Sequence, residues 1–106
     1  MAGSDYQRVA ASADIELGAM LCVVVDGREV LICHLAEGFF AVDNICSHAH
    51  ARMSEGRLRG HRVLCPLHGA AFDVRDGSVL GRPAVRPISS HSVRVSGEDL
   101  LLALND

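Results

Sequence analysis

Apolar positions in the first third of the chain fall into short β-branched runs separated by turn residues. Leu21 to Val25 is one such run, and Glu29 to Leu35 resumes with Val30, Leu31 and Ile32. Asp26-Gly27 stands between them, a pairing that favours the tight turns of β-hairpins. Glu37-Gly38 marks a further turn before Phe39 to Val42, so the spacing predicts an antiparallel meander. Tyr6 to Ala10 reads as an opening strand. Ser12-Ala13-Asp14 offers a cap, and Asp14 to Leu17 makes a turn closed by Gly18. At the other end, Ser92 to Val95 and Leu100 to Leu104 flank Gly97-Glu98 as a closing hairpin.

Between these parts the texture changes. From Asp43 to about Ile88, Gly recurs at 56, 60, 69, 77 and 81 and Pro at 66, 83 and 87, while apolar runs shrink to three or four residues. Arg62 to Leu64 predicts a strand, Ala71 to Val74 another, and Asp76-Gly77 a tight turn. No amphipathic helix of ordinary length appears. The chain is therefore expected to be all-β, an antiparallel body interrupted by a turn-rich insert of about 45 residues.

At 106 residues the chain has room for one core and no second domain. No apolar run approaches the roughly 18 residues of a membrane helix, and the first residues lack a secretory signal pattern. A cytoplasmic protein is expected, whose four cysteines are not structural disulfides. Every basic residue is Arg, and the net charge of −3 is uneven. Seven Arg and three acids lie between residues 46 and 90, against three Arg and ten acids elsewhere. With four aromatics and no basic run, nucleic-acid binding is not indicated. The uneven charge is read first as a solvated mixed-charge surface, with a docking face opposite in sign to the rest of the body as the sharper alternative.

The candidate chemistry lies inside the insert. Cys46-Ser47-His48 and Cys65-Pro66-Leu67-His68 each supply one thiolate and one imidazole from a loop that follows a strand-like run. His50 is an alternative to His48. Cys22 and Cys33 are expected to be buried thiols. His34, His61 and His91 are read as non-ligands, on strands or in a Gly-flanked turn. Zinc with two Cys and two His usually draws each like pair from one element. The mixed pairing here suits a two-iron cluster better, with Cys46 and Cys65 on one iron and His48 and His68 on the other. Two neutral ligands in place of thiolates raise the reduction potential.

Cys46-x-His48 with Cys65-Pro66-Leu67-His68-Gly69 resembles the Rieske cluster-binding motif. Met53-Ser54-Glu55-Gly56, Phe72-Asp73, Gly77 and Pro83 resemble the Rieske ferredoxins of bacterial ring-hydroxylating oxygenase systems. The resemblance spans Tyr6 to the last strand. It implies an antiparallel β-sandwich base (1–43 and 89–106) carrying a cluster-binding subdomain (about 44–88), and one [2Fe-2S] cluster. A third loop, Gly81 to Val85, would cover that cluster. The implied function is one-electron transfer, without catalysis, from an NAD(P)H-dependent flavoprotein reductase to a terminal Rieske non-heme iron oxygenase of aromatic compounds. Partners would dock, to a monomer, at the His48/His68 tip near Pro66 and Pro83, with Arg52, Arg82 or Arg86 on the rim. Rival readings are the small subunit of an assimilatory nitrite reductase, whose members often lack the ligands, and a structural zinc module.

High-potential Rieske proteins carry an additional Cys in each loop, joined as a disulfide, and hydroxyl donors near the cluster sulfurs. This chain has neither: Ala49-His50-Ala51 and Leu67 leave no bridge, and Ala70 and Phe72 cannot donate. Fewer hydrogen bonds to sulfur leave the reduced charge less stabilised, so a potential of about −150 to −100 mV is expected.

Overall fold

A computed structural model describes residues 5–47, 51–67, 69–82 and 86–105. His48, His50, His68 and Pro83 lie outside these residues. Among the described residues ten strands form two sheets, and every pairing is antiparallel. β1 (Gln7–Ala11), β2 (Met20–Val25), β3 (Arg28–Leu35), β4 (Gly38–Asp43), β9 (Ser90–Ser96) and β10 (Asp99–Ala103) make the first sheet, in the order β1-β10-β9-β4-β3-β2. β5 (Arg57–Arg59), β6 (Arg62–Leu64), β7 (Ala71–Asp73) and β8 (Val79–Gly81) make the second in sequence order.

The β2–β3 turn is the one the Asp-Gly pair calls for. Asp26 and Gly27 take φ of 51° and 80°, and Val25 pairs with Arg28, matching a type I′ hairpin. That register answers how the two outer cysteines are arranged. Cys22 lies opposite Leu31 and Cys33 opposite Met20, so the thiols are offset by two residues and both are free. Cys33 is buried and its thiol is pushed up to about 12 by desolvation. Cys22 departs from expectation, being only half-buried, because β2 is an edge strand.

β3 is apolar on consecutive positions because it is covered on both faces. Val30 and Ile32 face a core shared with Ala10, Val25, Leu100 and Leu102, so β1 and β2, at opposite ends of the strand order, meet around one interior. Leu31, Cys33 and Leu35 point the other way, into a core with Val63 and Phe72 of the second sheet and Val74 just beyond it. The second sheet thus packs on the outer face of β3 and β4.

The turn-rich stretch holds more regular structure than its sequence shows. β6 and β7 begin where expected, but β5, β8 and a 3-10 turn at Met53–Glu55 complete a sheet from strands of three residues each. Two glycines make this compactness possible. A Cβ on Gly56 would stand 1.9 Å from the Leu64 carbonyl oxygen, and one on Gly77 1.9 Å from that of Ile88.

The histidines read as non-ligands have structural partners. His34 donates from Nδ1 to the Ile15 carbonyl at 2.8 Å and stacks on Phe39 at 4.0 Å. His91 accepts the Asn105 N–H on Nδ1 at 3.0 Å, so its Nε2 carries the proton donated to Asp43 Oδ1 at 2.8 Å. His61 is exposed, 3.9 Å from Asp73.

Candidate metal centre

The two thiols are brought together by two loops closed in the same way. Ile45 and Arg52 form an antiparallel bridge, and Cys46 N–H donates to the Ala51 carbonyl at 2.8 Å. Cys65 N–H donates to the Ala70 carbonyl at 2.7 Å, directly beyond the β6–β7 pair Leu64 and Ala71. Each cysteine therefore starts a six-residue turn bonded to its own fifth successor. In each turn a histidine follows: His48 two residues on, His68 three residues on.

Both thiols are buried, Cys46 completely, and they pack with Met53, Ala70 and Phe72 in the inter-sheet core. They are free, and the Cys46 thiol lies within hydrogen-bonding reach of Cys65. Burial pushes the Cys65 thiol up and its Cys46 neighbour pushes the same way, while the Leu67 N–H at the sulfur pulls it down. The Cys65 thiol, buried beside a second sulfur, resists ionising unless a cation compensates it. A backbone N–H aimed at one sulfur is the donor such a thiolate ligand uses. The residues present fit an iron–sulfur centre on the thiol side. Among the described residues no group of three His, Cys, Asp or Glu gathers as a metal site, and both candidate imidazoles lie outside them.

Around the thiols, Ser47 Oγ donates to the Arg86 carbonyl at 2.7 Å, tying the first loop to the chain leaving residues 83–85. Pro66 and Leu67 are exposed on the second loop, Leu67 at 47 %. Arg82 and Arg86 are exposed too. Arg52 has other engagements: its Nε and Nη2 donate to the two Glu29 carboxylate oxygens at 3.0 and 3.1 Å. Sequence reading missed this commitment, because Glu29 and Arg52 are 23 residues apart with no shared motif. It also missed the role of Asn44, which is completely buried at the foot of the first loop.

The Rieske [2Fe-2S] domain family matches residues 5–102. The chain belongs to the Rieske family. The ferredoxin component of the naphthalene 1,2-dioxygenase system of Pseudomonas aeruginosa is 36 % identical over 92 residues, covering 87 % of this chain and 88 % of that one. The solved ferredoxin of carbazole 1,9a-dioxygenase from Nocardioides aromaticivorans IC177 is 34 % identical, covers 96 % of this chain and all of its own, and superposes with a TM-score of 0.91. A complex of reduced oxygenase and oxidised ferredoxin in carbazole 1,9a-dioxygenase contains a chain 29 % identical, with 92 % coverage of each and a TM-score of 0.88. This Rieske protein is of the ferredoxin type, an electron carrier with one [2Fe-2S] cluster, and not itself a catalyst. Among the described residues no helix is long and apolar enough to cross a membrane.

Proposed function

We propose that this Rieske ferredoxin carries single electrons, in the cytoplasm, from an NAD(P)H-dependent flavoprotein reductase to a terminal Rieske oxygenase acting on an aromatic compound. Cys46 and Cys65 hold one iron, and His48 and His68 the other. The four-stranded sheet and its loops, about 44–88, serve as the cluster-binding subdomain on a base of 1–43 and 89–106. The observation that carries this reading is the pair of buried, facing thiols at the feet of two identically closed loops. A nitrite reductase small subunit is the weaker reading, because the thiol pair is retained and the similar ferredoxins belong to dioxygenase systems. A zinc module usually takes like pairs from one element, which the two loops do not offer.

The carrier works as a monomer, and its partners meet the two cluster loops at the exposed Pro66 and Leu67 and at His48, His68 and Pro83, with the exposed Arg82 and Arg86 on the rim. Arg52 contributes less, since Glu29 already neutralises it. Such encounters are small and short-lived, as a carrier has to leave its partner. The test is electron transfer from the reduced protein to a terminal oxygenase, followed by stopped-flow absorbance at several ionic strengths. Arg82→Glu and Arg86→Glu should change the rate and its salt dependence while leaving cluster content intact. Loss of cluster in parallel with rate would mean that these arginines are structural and the docking site lies elsewhere.

A further inference from the structure

The thiol side of the site is assembled from two separate bodies. Cys65 is carried by the β6–β7 hairpin of the second sheet, whereas Cys46 follows β4 of the first. Their relative position depends on what holds the segment 45–53 to the first sheet, and the Asn44 side-chain amide and the Arg52–Glu29 pair carry that duty. Asn44 Oδ1 accepts the Ser54 N–H at 2.8 Å, and Nδ2 donates to Glu29 Oε1 at 3.0 Å and Ser54 Oγ at 3.2 Å. Its backbone adds two more bonds, donating to the Glu29 carbonyl at 3.0 Å and accepting the Met53 N–H at 2.7 Å. Glu29, on β3, then receives Arg52, so one carboxylate is bonded to residues on both sides of the loop.

A completely buried side-chain amide is costly unless each polar group finds a partner. Here every buried side-chain polar atom among the described residues is satisfied. An apolar residue at 44 would fill the space with no such requirement, but it could not fix direction. The Asn44 bonds run from a central strand to the returning end of the loop, so they set where the loop stands as well as whether it folds. The short hydrogen bonds inside the loop, such as Cys46 to Ala51, cannot do this, because they move with it.

We propose that Asn44, with Glu29 and Arg52, is a positioning network that fixes the Cys46 half of the cluster site against the Cys65 half. The proposal rests on Cys46 and Cys65 being ligands, and it adds that ligand geometry is set from the first sheet, through residues that touch no iron. Removing the network lets the first loop shift while the second stays fixed, which changes the ligand directions at the cluster and loosens its hold.

The test uses the cluster-loaded protein and three readouts: the EPR g-values of the reduced form, thermal unfolding, and the rate at which an iron chelator bleaches the visible spectrum. Asn44→Ala should shift the g-values and speed bleaching by about tenfold or more, in the range usual for lost outer-shell partners. Glu29→Gln, which keeps length and an acceptor oxygen but loses the charge-assisted pair with Arg52, should fall between it and the unaltered protein. His91→Phe is the control, since it breaks the His91–Asp43 bond of the same sheet without removing any bond of Asn44, Glu29 or Arg52. It should lower thermal stability with g-values unchanged and bleaching within about twofold of the unaltered protein. Asn44→Ala with unaltered g-values, and bleaching no faster than in His91→Phe, would overturn the proposal. If Asn44→Ala does not take up a cluster, Glu29→Gln and Arg52→Lys decide it, and unchanged g-values and bleaching in both would overturn it. An unaltered protein without a mixed-ligand signal would instead remove the ligand assignment beneath it.

Discussion

Asp73 shows how one side chain holds a turn of the second sheet. It is buried, and its two oxygens take the Arg75 Nε at 3.0 Å, the Arg75 Nη2 at 2.8 Å and the Arg75 backbone N–H at 2.9 Å. Its carbonyl also accepts the Gly77 N–H, so the turn into β8 is built on this residue. The Arg75 bonds hold its carboxyl below the ordinary value of 3.8 against the opposing pull of desolvation. A depressed carboxyl contributes stability that is present above its unfolded pKa and is lost as pH falls through the folded one. Asp73→Asn should therefore be less stable than the unaltered protein at neutral pH, with the gap closing below about pH 4. Urea unfolding across that range measures it; a gap that stays constant with pH would show that the charge of Asp73 contributes nothing.

At the scale of elements, the sequence announces those parts whose residue pattern repeats. Asp26-Gly27 between β-branched runs specifies β2 and β3 to within a residue, and the Cys-His spacing marks both loops. β5 and β8 were illegible because a three-residue strand has no period to detect, and Leu58 or Val79 alone signals nothing. Asn44 and Arg52 were illegible for a different reason. Their partner Glu29 lies on a strand far back in the sequence, and only the packing of the first loop on β3 brings them together. The two loops also show what sets the electronic character of the site. Ala70 and Phe72 are completely buried beside the thiols, which leaves backbone N–H groups such as that of Leu67 as sulfur donors. Ala70→Ser places a hydroxyl there and should raise the midpoint potential from the low end of the Rieske range, about −150 to −100 mV. A redox titration that finds the midpoint unchanged or lowered would show that residue 70 does not reach the cluster sulfurs.

For the whole molecule, the division of labour follows from β3. One of its faces closes the core of the rolled first sheet and the other carries the second sheet, so the site is supported by a strand buried on both sides. Rigid support suits an electron carrier, whose site has to accept and release charge with little rearrangement. The uneven charge fits the same plan, with exposed Arg82 and Arg86 near the loops and most acids in the first sheet and its turns. The central claim is that two thiolates and two imidazoles hold one two-iron cluster, and EPR of the dithionite-reduced protein tests it most directly. A rhombic signal with an average g-value below that of all-thiolate two-iron clusters, altered or abolished in His48→Cys and Cys65→Ala, is the expected result. An all-thiolate signal, or a colourless protein that binds zinc and gives no signal, would contradict it.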